Sequence, residues 1–166
     1  LVENKGIVYN IVADAELMAN KQGAKVAQIC ANSTNGLMLN CMALGAIISN
    51  ASEQKIGAIS CASSNSRYIS VNSATSIDSE ENTNVGFIVN SGINDSKDIF
   101  KNCSFDVQTI VKNTFVDSGI TQISGTMINE NAFINSNGEV KVNTTYNYGY
   151  PYFARFVNGV KQTALE

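Results

Sequence analysis

The apolar residues near the start of the chain recur with the spacing of a one-faced helix. They follow an i, i+3, i+4, i+7 stripe, which consists of Val8, Ile11, Val12, Ala15 and Met18. Gly23 supplies the left-handed residue at which helices commonly end. The pattern predicts an amphipathic helix that ends at residue 23 and packs this stripe against the remainder of the domain. Because no capping residue opens it, we interpret it as the C-terminal half of a longer helix.

Beyond Gly23 the pattern changes to short runs typical of β-strands. The clearest are an apolar stretch at 36–49, an alternating run at 67–72 and the segment 85–90, which predicts a central strand. The polar, acidic segment 73–84 predicts an exposed loop, and Asn-Gly and Ser-Gly pairs mark hairpin turns. We detect no 30-residue periodicity and no alternation of strands with helices. The predicted fold is α+β, with one long helix packed on antiparallel sheets.

Length and charge narrow the class of protein. The 166 residues predict a helical segment at 1–23, a β-rich globular head at 24–164 and a possible cloning scar at 165–166. Charged residues make up 15% of the chain and the formal net charge is -3, which argues against a nucleic-acid partner. The longest apolar stretch is interrupted by Asn40, so it predicts buried sheet rather than a membrane span.

Four cysteines carry the strongest structural signal outside the hydrophobic pattern. They are Cys30, Cys41, Cys61 and Cys103, and no two have the spacing of a zinc-binding pair. Four cysteines allow three pairings. We favour Cys30–Cys41, across the turn at 32–36, and Cys61–Cys103, in an oxidising compartment. The alternative is four buried free thiols in a cytosolic protein.

The residues that usually carry catalysis are scarce. The chain has no histidine, which removes the commonest general base and the Ser-His and Cys-His pairs. Acidic pairs such as Asp14 with Glu16 and Glu80 with Glu81 are typical of a solvated surface. No glycine-rich phosphate loop follows a strand. We therefore expect no enzymatic activity, no cofactor and no metal site.

A series of tyrosines near the C-terminus is a candidate binding surface. Tyr146, Tyr148, Tyr150 and Tyr152 occupy every second position, so an extended chain would present them on one face. Such a ridge can stack on a sugar or contact a protein partner. The competing interpretation, which we favour, is a set of rings that covers the core, because Gly149 and Pro151 bend the chain.

Several segments together resemble a known family. The run ADAELMANKQGAKVAQIC from Ala13 to Cys30, the strand Gly86–Asn90, the segment Phe133–Gly138 and the closing segment Ala154–Lys161 resemble the minor pilins and pseudopilins of the GspH/FimT group. The Arg residues usual in the turns of that group are missing here, and the region 43–84 is longer. The prepilin leader and the apolar start of the helix are not in this sequence.

The resemblance implies a non-enzymatic subunit in the assembly, priming or capping of a type IV pilus or a type II secretion pseudopilus. Its partners would be other pilin or pseudopilin subunits, and an upstream apolar helix would anchor it in the membrane. It implies a place in the bacterial cell envelope, in the inner membrane before assembly and in a periplasmic or extracellular filament afterwards. The alternative function is a surface adhesin or carbohydrate-binding domain that uses Tyr146–Tyr152.

Overall fold

The computed structural model describes residues 1–79, 84–86, 88–91, 97–106, 121–123, 140–141 and 152–153. All regular structure in these residues is strand. The strands are β1 (Glu3–Asn4), β2 (Ile7–Ala19), β3 (Lys25–Ala27), β4 (Cys30–Thr34), β5 (Leu37–Ser49), β6 (Lys55–Gly57), β7 (Ser60–Ser64), β8 (Arg67–Ser73), β9 (Ser76–Ser79), β10 (Asn84–Gly86), β11 (Val89–Ser91), β12 (Ile99–Lys101), β13 (Ser104–Asp106), β14 (Thr121–Ile123), β15 (Val140–Lys141) and β16 (Tyr152–Phe153).

The strands form three parallel sheets within the described part of the chain. The first sheet has the order β1-β4-β7-β11, and the third has the order β10-β6-β3. The second, largest sheet has the order β14-β13-β8-β5-β2, with β12 paired to β8 and β9 paired to β5. Neighbours in each sheet come from successive windings of the chain, so the fold is a β-solenoid. Among the described strands, only β15 and β16 pair antiparallel.

The windings stack in a nearly constant register. Ile7 pairs with Leu37 and Leu37 with Arg67, so the step is 30 residues. The step is 29 residues between Ser60 and Val89 and 32 between Arg67 and Ile99. We define coil 1 as β1–β3, coil 2 as β4–β6, coil 3 as β7–β10 and coil 4 as β11–β13. The expectation that the chain lacks a 30-residue period was wrong.

Left-handed residues form the corners of each coil. One corner stacks Asn10, Asn40, Ser70 and Asn102, whose φ angles are 54°, 50°, 53° and 54°. Asparagine is favoured there because its short polar side chain tolerates this conformation better than other side chains. Hydrogen bonds link successive coils at these positions, since Asn102 Nδ2 donates to Ser70 Oγ at 2.9 Å. The corner therefore connects coils through side chains as well as through the backbone.

A second asparagine corner and a nearby turn repeat this arrangement. Asn65 Nδ2 donates to Asn35 Oδ1 at 2.6 Å, and both residues have positive φ. In the turn after the long strands, Asn50 Nδ2 donates to Asn20 Oδ1 at 3.1 Å. In these ladders the polar side chains of successive coils form hydrogen bonds with each other, whereas in a single coil they would form hydrogen bonds with water. The abundance of asparagine thus reflects, in part, the repeated corners of the solenoid.

The inside of the solenoid is filled by stacked apolar columns. In the larger core cluster, Tyr68 is fully buried and its ring stacks on Phe100, with centroids 5.0 Å apart and planes at 10°. Met38 and Val8 continue the same column through coils 2 and 1. A smaller cluster is centred on the column of Ile47 and Ile77. The two clusters form the apolar part of the interior of the stacked coils.

The predicted N-terminal helix does not exist, and the α+β, pilin-like fold class was wrong. Residues 7–19 form β2, which pairs parallel with β5. The residues of the predicted helix packing face therefore lie along a strand, and they do not share one buried face. Val8 packs on the core, Val12 is half-buried, Ile11 is 39% exposed, Met18 is 61% exposed and Ala15 is exposed. Gly23 is left-handed as expected, with φ 69°, but the element that precedes it is a strand.

Several strand predictions were confirmed, whereas their pairing was not. The stretch 36–49 contains β5 and the run 67–72 lies within β8. Segment 85–90 is divided between β10 and β11, which belong to different sheets, and the predicted loop 73–84 contains β9. The predicted antiparallel sheets are wrong for the solenoid, because every pairing between its coils is parallel.

Gly57 ends β6, where the chain turns tightly into β7. A Cβ atom at Gly57 would overlap the backbone of Ser60, and one at Gly86, its neighbour in coil 3, would overlap the backbone of Val89. Replacing Gly57 with alanine should lower the free energy of unfolding by about 1–3 kcal/mol. Gly6→Ala is the matched control, because nothing lies within 4 Å of its added Cβ. Equal urea midpoints for the two variants would contradict this packing.

Candidate binding site at the open first coil

Coil 1 forms one end of the described solenoid. β1, β2 and β3 are each the last strand of their sheet in the part of the chain that the structure describes. Large apolar side chains are exposed on this coil, namely Leu1 (70%), Val2 (79%), Ile7 (67%), Tyr9 (60%), Ile11 (39%) and Met18 (61%). The positions equivalent to Ile11 in the next two coils, Cys41 and Val71, are fully buried. The positions equivalent to Ile7 and Met18 in coil 3, Arg67 and Asp78, are exposed as well, so these two positions face outward in both coils.

An apolar cavity of about 460 Å³ opens on this surface. Its lining includes Ile7, Val8, Tyr9, Ile11 and Ile29. The volume lies within the range of small-molecule and peptide-side-chain pockets, which are mostly apolar with a few polar groups. Within the described residues, no coil stacks on the side of Val8 and Ile11 that faces away from coil 2.

Gln28 provides the polar group of this cavity. Its Nε2 donates to the backbone oxygen of Ala15 at 2.7 Å and of Ala46 at 3.4 Å, so the side chain is fixed across coils 1 and 2. Its Oε1 is buried and has no hydrogen-bond partner. The equivalent position in coil 2 carries Ala58, which belongs to the smaller core cluster. A buried acceptor without a partner is unfavourable until a donor reaches it.

The outer strand of coil 1 also carries negative charge. Asp14 and Glu16 are exposed on β2, and no lysine or arginine occurs between Ile7 and Ala19. Burial raises the pKa of Asp14. Among the described residues, the ion pair at this end joins Lys5 Nζ to Glu3 Oε1 at 3.1 Å. The open end therefore combines an apolar cavity, one unpaired acceptor and an acidic segment.

The four cysteines are free and buried, so neither predicted disulfide is formed in the structure. Cys41 and Cys103 occupy the same position in coils 2 and 4, with Val71 between them. Two strand spacings, roughly 9.6 Å, separate such positions, which exceeds the Cα distance that a disulfide can span. Cys30 and Cys61 lie on β4 and β7, and Cys61 donates to the Lys55 oxygen at 3.1 Å.

The environment of the thiols suppresses their ionisation. Burial raises the pKa of Cys41 and of Cys103 to about 11, in each case against the smaller effect of backbone hydrogen bonds. Burial also raises the pKa of Cys30 and of Cys61. Because the thiolate is the reactive form, these cysteines are poor nucleophiles at neutral pH.

Tyr68 is buried beside a group of serines. Burial raises its pKa to about 12, while the hydroxyls of Ser63, Ser60 and Ser33 lower it. Ser33 Oγ donates to Ser66 Oγ at 3.1 Å, and Ser66 Oγ accepts from the Gly36 backbone at 3.2 Å. This polar group lies inside the solenoid and has no access to a substrate, so we assign it a structural role.

The other predicted sites lie largely outside the described residues. Tyr146, Tyr148 and Tyr150 are not in the described part, and Tyr152 is described only as the backbone of β16, where it pairs with Lys141 of β15. In the described part, no group of three or more acidic, cysteine or histidine side chains is placed to hold a metal ion. The same residues contain no helix of the length and apolarity that a membrane crossing requires.

The chain was compared with known protein families, proteins and structures. No protein-family model, no curated protein and no solved structure matches the chain.

The sequence did not predict this site, because Ile7, Tyr9 and Gln28 do not belong to a recognisable motif. The detectable signal was the shared 30-residue step of Asn10 with Asn40 and of Asn35 with Asn65. That step would have identified the repeating coil and placed Ile11 in one column with Cys41 and Val71.

Proposed function

We propose that this chain is a non-enzymatic binding module of a surface adhesin, in which the solenoid is a stiff scaffold. The observation that supports this is the register of β2, β5 and β8, which holds through three coils. Stacked coils with side-chain ladders at the corners resist bending, and a rigid scaffold lowers the entropy lost when a partner binds. The bacterial cell surface is the corresponding location, and a glycan or a protein on another surface is the partner.

The chemistry of the described side chains also favours binding over catalysis. The thiols of Cys41 and Cys103 and the phenol of Tyr68 all have raised pKa values, which disfavour the forms that act as nucleophiles or bases. Asp14, Glu16 and Asp78 are exposed to solvent. A recognition function needs none of these groups to be activated.

We do not propose a role in filament assembly. It was predicted from the resemblance to minor pilins, in which the N-terminal helix joins subunits. Residues 7–19 form a strand of the solenoid instead. The assembly role stays an untested prediction, and with it the pilin or pseudopilin partners and the membrane-anchored location.

The tyrosine series is the best available candidate for the contact surface of the adhesin. Tyr152 lies in β16, whose backbone is extended and paired with β15. Tyrosines at every second residue of an extended segment share one face, which suits stacking on sugar rings. The proposal therefore assigns recognition to Tyr146, Tyr148, Tyr150 and Tyr152, and support to the coils.

A binding comparison tests this function. The purified chain, immobilised on beads, should retain a subset of glycans from an array and should attach to cells that carry them. Replacing the four tyrosines with serine should weaken that binding by about tenfold or more, since each aromatic contact contributes about 0.5–1.5 kcal/mol. Ile99→Ser is the control, because Ile99 is an exposed apolar residue of β12 that does not line the cavity of coil 1. Failure of the parent chain to bind any glycan or cell surface would refute the adhesin role.

A further inference from the structure

The second sheet turns two separate surfaces outward, one on each side of its asparagine corner. Before the corner, in β2, β5, β8 and β12, every second residue points out of the coil, because the residue between them, such as Met38 or Tyr68, is buried in the core. The eight outward residues are Ile7, Tyr9, Leu37, Leu39, Arg67, Ile69, Ile99 and Lys101. We call these eight residues the basic face.

The basic face is apolar apart from two cations. Its other side chains are aliphatic or aromatic, and those of coils 2 to 4 are half-buried or exposed, with Ile99 at 48%. Arg67 and Lys101 are exposed, and none of the eight positions carries an acid. Asp98, which lies next to this face, is half-buried, and its Oδ1 accepts from the backbone N–H of Ser66 at 2.7 Å. An apolar and cationic surface that extends over several coils is typical of an interaction site.

After the corner, the same sheet presents a surface of the opposite charge. In β2, β5 and β9, the inward residues Leu17, Ile47 and Ile77 pack in the smaller core cluster. The residues on either side of them point outward, and they are Glu16, Met18, Ala46, Ile48, Ser76 and Asp78. Glu16 and Asp78 are exposed, and none of the six positions carries a cation. We call these six residues the acidic face.

We propose that the basic face of one copy of this chain docks on the acidic face of a second copy. Each face combines apolar side chains with two like charges, and the charges of the two faces are opposite. Docking brings the cations of one copy next to the acids of the other and removes apolar side chains of both from water. The contact uses neither the tyrosine series nor the ends of the solenoid, so its failure would leave the adhesin proposal standing.

The charges favour a second copy over an anionic membrane as the occupant. The formal net charge is -3, and both faces belong to the same sheet. An anionic lipid surface would attract Arg67 and Lys101 but repel Glu16 and Asp78, whereas a second copy satisfies all four charges. A sugar fits these faces poorly, because sugar rings stack on aromatic side chains and Tyr9 is the one aromatic residue of the two faces.

The arrangement predicts assemblies larger than a dimer. The two faces are different surfaces, so a contact between them is heterologous, and each added copy brings one further face to which another copy can dock. The basic face spans three strand spacings, roughly 15 Å at about 4.8 Å each. Such a patch is smaller than the roughly 800 Å² per partner of a stable interface, so the association should be weak and should depend on concentration.

Sedimentation velocity of the whole chain, with a reducing agent present, tests this contact. The weight-average sedimentation coefficient should rise from about 10 µM to about 1 mM protein, and added salt should reduce the rise because it screens the charges. The variant Arg67→Glu, Lys101→Glu makes both faces acidic, and Glu16→Lys, Asp78→Lys makes both faces basic. Each variant alone should associate at least about tenfold more weakly than the parent, because like charges then meet.

Mixing the two variants gives the decisive comparison. An equimolar mixture should associate at least as strongly as the parent, because each acidic face then meets a basic face. Misfolded variants cannot produce this rescue. The matched control is Lys25→Glu, Lys55→Glu, which changes two exposed lysines on β3 and β6, outside both faces, and should associate like the parent.

Three results would overturn the proposal. They are a parent chain that stays monomeric throughout this range, charge variants that associate as the parent does, and a mixture of the variants that stays monomeric. Vesicles of phosphatidylcholine and phosphatidylserine present the competing occupant. If the parent is monomeric in solution but sediments with these vesicles, and the variant Arg67→Glu, Lys101→Glu does not, the basic face binds a membrane surface instead.

Discussion

Replacing Tyr68 with alanine should lower the free energy of unfolding by about 3–5 kcal/mol. Tyr68 is fully buried, and its ring is stacked on Phe100 of the next coil at 5.0 Å. Removing the ring leaves a cavity between Met38 and Phe100, and neither neighbouring coil can close that cavity without losing its register. Chemical denaturation followed by far-UV circular dichroism measures the loss.

Two further variants show which part of this loss comes from the buried ring. One removes only the hydroxyl group, and the other removes an exposed tyrosine. Tyr68→Phe keeps the stack and should change stability by less than about 1 kcal/mol, because the hydroxyl is buried without a hydrogen-bond partner. Tyr9→Ala removes a tyrosine of coil 1 that lies one residue beyond Val8, the coil 1 counterpart of Tyr68. Because Tyr9 is 60% exposed, this change should affect stability little. If Tyr9→Ala is as damaging as Tyr68→Ala, the assignment of inside and outside along these strands is wrong.

Raising the pH from 9 to 11 should destabilise the folded chain by several kcal/mol. Burial raises the pKa of Cys41 and of Cys103 from 9.0 to about 11. An unfolded thiol therefore loses its proton first, and the unfolded state is favoured as the pH rises. The contribution of each neutral buried thiol to the free energy of unfolding is complete below pH 9 and is lost as the pH approaches 11. It amounts to about 2–3 kcal/mol for each thiol. Tyr68 adds a similar loss between pH 10 and about 12.

Valine substitution provides the control for this pH dependence. Val71 lies between Cys41 and Cys103 in the same column, so a valine side chain fits that environment. The variant Cys41→Val, Cys103→Val should lose much less stability than the parent between pH 9 and 11. Urea titrations at each pH, with a reducing agent present, measure the difference. Parallel curves for variant and parent would show that these thiols ionise equally in both states.

The false helix at the start of the chain has a physical origin. The left-handed corner at Asn10 interrupts the alternation of β2. Val8 and Ile11, on either side of the corner, therefore both face the space inside the coil although they are three residues apart. Three-residue spacing is also the signature of a helix face. Local periodicity could not distinguish a corner in a strand from a turn of helix.

The strands themselves could be predicted, but their partners could not. β5 and β8 follow from their apolar content and alternation, which are local properties. Parallel pairing across 30 residues leaves little local trace, because the residues that share a column differ in identity and, at several positions, in polarity. The column of Ile11, Cys41 and Val71 contains a different residue in every coil. The open site depends on that pairing, so it also escaped prediction.

The stacking of coils along one axis has a mechanical consequence. Each coil is held to the next by its own rows of backbone hydrogen bonds, and coil 1 has a described neighbour only on one side. Tension on the N-terminus therefore peels the chain from that end, one coil after another. A 30-residue coil releases roughly 100 Å of extended chain, at about 3.4 Å per residue. A tether that lengthens in such steps absorbs a sudden load and spares the bond at its far end.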